Sequence, residues 1–319
     1  MKFSRLLRST PAFAGVLVCA LLTACATPQA TQLRAQAPDL QVAPTAELRD
    51  VPFFAQKEYE CGPAALAMVI SAAGVAVTPE ALVDQVYLPA RKASLQVEMQ
   101  AATRQRGLLA YPLKPQLQDL LQEVAAGHPV LVFENVSLPV YPIWHYAVVI
   151  AYDLGNNTIT LHSGVTERME MSLYTFERTW ARGQYWAMLA LPPGQLPVTA
   201  EVPMYLRSVA ALEMLHADAA HTAYSAALVR WPQQPSLLLG LGNTAYAMHD
   251  LSGAASAYGQ AVGVQPDFAD AWNNLAQTQL ELGHKEQARD AITHAVALGG
   301  ARQAQYLELQ AQIAKAMQE

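Results

Sequence analysis

Charge is scarce in this sequence: Asp, Glu, Lys and Arg make up 14% of its 319 residues, and no Lys/Arg cluster falls outside the first eight. Binding nucleic acid requires a phosphate-neutralising patch, so that class of partner is excluded. There is no phosphate-cradling glycine loop, which excludes the common nucleotide-binding motifs. Cysteine is scarcer still, at three residues, and no two histidines stand at metal-ligand spacing on a predicted helix. No metal centre is expected and no cofactor is implied. The long apolar run of a membrane span is also missing, since Ala12 to Ala24 is apolar but short. Apolar residues are abundant, at 52% of the chain, and the net charge of −6 is mild. Such a chain suits globular domains and is long enough for two.

The first 25 residues read as a targeting segment. Lys2, Arg5 and Arg8 form a basic start, an apolar stretch follows, and "LLTAC" closes it. Leu22-Thr23-Ala24-Cys25 resembles the bacterial lipobox, which implies lipidation of Cys25 and cleavage before it. Ala26 in place of an Asp then points to the outer membrane, so the expectation is a lipid-anchored, signal-peptide-bearing protein of the cell envelope facing the periplasm. Cys19 leaves with the signal and Cys25 carries lipid, so Cys61 is the one remaining thiol and no internal disulfide can form. A lone thiol in an oxidising compartment is a liability unless it is buried or used.

Residues 26–50, rich in Ala, Pro, Gln and Thr, read as a flexible tether. A first domain is expected over 51–192 and a linker over 193–202, within a stretch holding four prolines. Beyond it lies a period of 34 residues: Leu238, Leu241, Gly242, Ala254, Tyr258 and Ala261 map onto Trp272, Leu275, Ala276, Ala288, Ile292 and Ala295. Small residues recur where two helices must approach closely, with a large apolar residue beside them. This resembles the tetratricopeptide repeat, in three units over 203–300 and a capping helix from 301, all within a domain spanning 203–319. Such a solenoid implies a concave surface for a protein partner.

In the first domain, "CGPAALAMVISAAG" carries Pro63 in its first turn and Gly74 as a stop, which predicts a helix beginning at Cys61. Further helices are predicted over 78–86, over 94–107 with Ser94 as cap, and over 115–127. Five strand-like runs follow, from "PVLVFEN" to "QYWAMLALP", giving an α+β arrangement. A thiol at a helix start meets unpaired N–H groups and the helix dipole, which lower its pKa. His145 heads the strand "HYAVVIAYD", and a neutral imidazole there can take the thiol proton. Trp144, Tyr141 and Tyr146 flank it as candidate cleft residues.

"QKEYECGPAALAMV" followed some 80 residues later by "WHYAVVIAYD" resembles the papain-like peptidases that remove double-glycine leaders from bacteriocin precursors, and their stand-alone relatives. The resemblance implies an α+β papain-like cysteine peptidase domain, here followed by an all-α tetratricopeptide-repeat solenoid. It implies Cys61 as nucleophile, His145 as general base, and Gln56 as a side-chain donor to an oxyanion hole shared with the Cys61 N–H. The family places an Asp on the strand after the histidine strand. Asp153 is too far along its own strand and opens the turn "DLGNN", so the return strand brings His162 or Ser163 back beside His145. Ser163 accepts a hydrogen bond from an imidazole N–H but cannot offset its charge. A Cys-His dyad, or an acid borrowed from Glu167 or Glu170, remains open. The expected function is an envelope cysteine peptidase with a peptide or protein substrate in its cleft; the rival is a silent cleft that serves with the repeats as a scaffold or adaptor.

Overall fold

The computed structural model describes residues 27–36, 42–91 and 93–318. The lipobox and Cys25 lie outside the described residues. Among those residues no helix is long and apolar enough to cross a membrane.

The first half is built round one antiparallel sheet of seven strands. Its strands are β1 (Thr45–Glu47), β4 (Leu109–Pro112), β5 (Val130–Asn135), β6 (Trp144–Asp153), β7 (Thr158–Ser163), β8 (Thr166–Ser172) and β9 (Ala187–Leu191). Their order is β4-β9-β5-β6-β7-β8, and β1 pairs with the far end of β6. A two-stranded ribbon, β2 (Tyr87–Leu88) with β3 (Ala93–Ser94), stands apart. β6 is buried without a break from Tyr146 to Tyr152, because helices cover both faces of the sheet. Alternation along the strand sorts its side chains. Tyr146, Val148 and Ile150 pack with α2 (Cys61–Ala72), whose residues Gly62 to Ile70 are all buried. Ala147 and Val149 face the other way, toward α5 (Leu117–Ala125) and α6 (Leu173–Arg182). Two short helices, α3 (Glu80–Val86) and α4 (Gln96–Arg104), brace the α2 side.

Two expectations are corrected here. The stretch 26–50 is not a free tether where it is described: Pro28–Gln36 forms a helix, α1, and the N–H groups of Gln29 and Ala30 donate to the buried Glu177 carboxylate at 3.0 and 2.7 Å. Glu177 is wholly buried, and two amides at a helix start satisfy it. Ser94 is not a helix cap either. It belongs to β3, Leu95 caps α4, and Ser94 is buried under Gly62, where a Cβ would come within 2.2 Å of its Oγ.

The second half is helical throughout: α7 (Val202–Glu213), α8 (Ala217–Arg230), α9 (Pro235–Ala247), α10 (Leu251–Val264), α11 (Ala269–Glu281), α12 (Lys285–Leu298) and α13 (Gln303–Ala316). The recurring small residues have a visible cause. A Cβ on Gly240 would lie 2.3 Å from the Tyr224 ring and one on Gly242 2.4 Å from the Tyr258 ring, so the rings pack directly on helix backbone.

The halves share one core. Tyr205 and Val209 of α7 join Leu109, Tyr111 and Leu189 of the sheet in a single apolar cluster. The segment between them is fastened rather than loose. Thr199 N and Oγ1 donate to the buried Glu123 at 2.8 and 2.6 Å, and Arg230 donates to the carbonyls of Pro197 and Val198. A chain ending at Pro192 is therefore expected to lose about 2–4 kcal/mol of stability as the β4 face is uncovered. Thermal melts of the two lengths check this; equal melting temperatures for the sheet domain would show that the shared core adds nothing.

Candidate active site

The turn before α2 aims the thiol. Glu60 N donates to Lys57 O at 3.1 Å, and Tyr59 within this turn takes φ +64, a conformation that costs a non-glycine residue about 1 kcal/mol or more. Cys61 then opens the helix, half-buried. The backbone N–H groups of Tyr146, Gly62 and Cys61 itself are turned on its sulfur. Tyr146 follows His145 in β6, so the sulfur lies one residue from the imidazole-bearing position.

His145 is held from the next strand. β6 and β7 pair with Ala147 opposite Ser163, which places Ser163 on the His145 side of the sheet, and Ser163 Oγ lies 2.9 Å from His145 Nε2. Of the two residues expected to return beside His145, Ser163 does so. His162 faces away, its Nε2 at 3.1 Å from Val51 O and its ring 5.3 Å from that of Phe53. Neither borrowed acid joins the site: Glu167 and Glu170 are exposed on β8, and Glu167 acts on His162 instead. Asp153 closes its own turn, accepting from Asn156 N at 2.9 Å.

Gln56 stands beside the same corner. Its N–H donates to Gly164 O at 3.1 Å, and its side-chain Cδ is 3.9 Å from where a Cβ on Gly164 would stand. Gly164 has φ +64, the backbone state that lets β7 turn tightly into β8. Of the three candidate aromatics, Tyr146 is core, donating its hydroxyl to Ser94 O at 3.2 Å. Trp144 and Tyr141 are exposed, and Trp144 stacks on Phe133 with ring centres 5.2 Å apart.

The electrostatics correct one expectation. The helix start was expected to lower the Cys61 pKa, yet burial pushes the thiol above its ordinary value, outweighing the three backbone amides. Burial also lowers His145 to about 4, since no anion is bonded to it. Both groups are uncharged at neutral pH. A buried carboxyl that sequence reasoning missed lies beside His145: Glu134 of β5 sits directly opposite it in the sheet register. Burial raises Glu134 to about 7, against the opposing effects of a hydrogen bond from Thr179 Oγ1 and the nearby Arg182. The one sign available in the sequence was a charged residue inside the otherwise apolar "PVLVFEN".

Residues 48–188 match the Peptidase_C39 like family and residues 239–303 the tetratricopeptide repeat. No curated protein matches the chain. Among solved structures, a candidate C39-like peptidase from Bacillus anthracis is 17% identical, covers 46% of this chain and 97% of its own, and gives a TM-score of 0.40. The Sgt2 tetratricopeptide-repeat domain from Aspergillus fumigatus is 21% identical, covers 38% of this chain and 87% of its own, and gives 0.34.

Proposed function

We propose that this chain, in which a C39-peptidase-like domain over 48–188 precedes tetratricopeptide repeats over 239–303, hydrolyses peptide bonds with Cys61 as nucleophile and His145 as base. The observation that carries this reading is the placement of the Cys61 sulfur against the Tyr146 N–H, one residue from a histidine whose Nε2 is engaged by Ser163. With Nε2–H donating to Ser163, the ring keeps Nδ1 unprotonated and ready to take the thiol proton. The sulfur attacks the carbonyl carbon as its proton passes to Nδ1. Gln56 and the Cys61 N–H stabilise the resulting oxyanion. His145 returns the proton to the leaving amine, and water, activated by the same nitrogen, releases the acyl group. Because the resting pair is uncharged, proton transfer accompanies attack rather than preceding it.

The repeats supply the partner surface. Among the described residues, a groove of about 480 Å³ is lined by Asn243, Asn273, Asn274, Gln277, Tyr246 and Tyr258, with Glu308 as its one charged lining residue. Asn273 Oδ1 is buried there without a hydrogen-bond partner. Side-chain amides both donate and accept, as a peptide main chain does, whereas no lining cation offers a grip on a carboxylate. The lipobox motif supports anchoring at Cys25 in the envelope, with the periplasm as the setting.

The test is hydrolysis of a mixed peptide pool at pH 8, read by mass spectrometry. We expect Cys61→Ala and His145→Ala each to abolish cleavage, by about a thousandfold or more. Retained cleavage in Cys61→Ala would refute the mechanism. One observation favours a second reading, a cleft that binds peptides without cutting them: a serine bonds to His145 where an acid would support it. Peptide binding by the parent with no cleavage would select that reading.

A further inference from the structure

Three strands place side chains in a row on one side of the sheet beneath α6. Glu134 of β5 is the direct cross-strand partner of His145 in β6, and Ser163 of β7 is hydrogen-bonded to His145 from the other side. Directly paired residues of an antiparallel sheet share a face, with Cβ atoms about 5 Å apart. Glu134 is 1% exposed, so its carboxyl is committed to the interior. Burying a carboxyl is costly, and an apolar residue would fit a central strand between β9 and β6 with less penalty.

The structure assigns Glu134 as the acid of the site: a positioning residue that acts through His145 and supports the imidazolium formed when Cys61 gives up its proton. This rests on the proposed Cys61–His145 chemistry. The family-like place for an acid, on the strand after the histidine strand, holds Ser163, and the carboxyl comes instead from the strand before it. The proton balance is simple. The thiol proton moves to His145, leaving thiolate and imidazolium, and Glu134, when ionised, adds a negative charge beside the imidazolium without itself taking the proton.

The groups facing Glu134 are few. From α6 come Thr179, whose Oγ1 donates to Oε1, and Arg182, whose Nε donates to Asn135 O at 3.1 Å. From β6 comes His145. On the other side of β5, in the segment just before β9, the Trp186 carbonyl accepts from Phe133 N, and a Cβ on Gly183 would lie 3.1 Å from Glu134 Cα. Arg182 is the one cation of the set, and it favours the carboxylate. Burial opposes it and brings Glu134 to about 7, so the carboxyl changes charge in the neutral range, where the imidazole beside it registers the change.

The experiment follows the ring C–H resonances of His145 by NMR across pH 4 to 9, in the parent and in Glu134→Gln, which keeps the shape and the Thr179 contact. In the parent these resonances are expected to show an inflection near pH 7 in addition to their own low-pH step. In Glu134→Gln the neutral inflection disappears, while the low-pH step of His145 stays near 4, because a carboxyl of about 7 is already protonated there. Glu134→Asp restores part of the inflection; a merely structural carboxyl would lower melting temperatures and leave the His145 curve alone. The neutral inflection in the parent tests the proposal even where the glutamine variant fails to fold. Superimposable titrations in two folded proteins, or a parent without the inflection, would overturn it. Because the readout is the imidazole rather than peptide cleavage, failure here is distinguishable from failure of the peptidase reading.

Discussion

Replacing Ser163 with Asp is expected to raise the alkylation rate of Cys61 at pH 6 by about 10- to 100-fold. Ser163 Oγ lies 2.9 Å from His145 Nε2, and Ser163 is 8% exposed, so a carboxylate introduced there meets the ring at short range with little water between them. His145 stands at about 4 because burial disfavours its cation and a hydroxyl cannot repay that cost. A bonded carboxylate favours the imidazolium by about one to three pH units. The imidazolium in turn favours the thiolate, which already has three backbone N–H groups turned on it and lacks only a counter-charge. Iodoacetamide labelling of the two proteins at pH 6 measures the effect. Equal rates would show that His145 does not govern the charge of Cys61.

The largest loss of stability is expected from Gly183→Ala. Gly183 follows α6 at φ −83, so its conformation suits any residue; the obstacle is space. A Cβ there would fall 2.1 Å from Phe133 O, 2.8 Å from Phe133 C and 3.1 Å from Glu134 Cα. These are backbone atoms of a central strand and cannot rotate away. Either α6 must lift, taking the Trp180 ring from the core and Thr179 from Glu134, or β5 must bend and shift His145 through its register partner. We expect about 3 kcal/mol or more of destabilisation and a parallel fall in cleavage, read by denaturant melts and the peptide assay. A melting curve that matches the parent would mean that the helix and the strand are not held at this distance.

Much of the site was legible because its signals are local. An alanine-rich run with Pro63 at its start and Gly74, at φ +88, past its end can only be a helix, and it begins at the thiol. The five-residue turn opened by Asp153 narrows the residues returning beside His145 to His162 and Ser163, and an irregularity of register in β6 between Val149 and Ala151, which has no mark in the sequence, selects Ser163. The features that escaped are tertiary. Helix α6 follows β8 without a break, and its start is marked only by the Ser172 hydroxyl accepting from Thr175 N. Residues 28–36 fold because of a carboxylate 147 positions away, which no window of sequence contains. The thiol pKa went the other way because a helix start is a local property whereas desolvation depends on everything packed above it. Glu134 carries no motif, and its meaning comes entirely from which residue the sheet places opposite it.

The measurement that bears most directly on the central claim, an uncharged Cys61–His145 pair at rest, is the rate of Cys61 alkylation from pH 4 to 10 in the parent and in His145→Ala. We expect the parent rate to fall steadily toward acid, with no plateau below pH 6, because burial holds the thiol protonated and His145 neutral until its pKa of about 4. A flat rate reaching below pH 5 in the parent and lost in His145→Ala would establish a standing thiolate–imidazolium pair and contradict that claim.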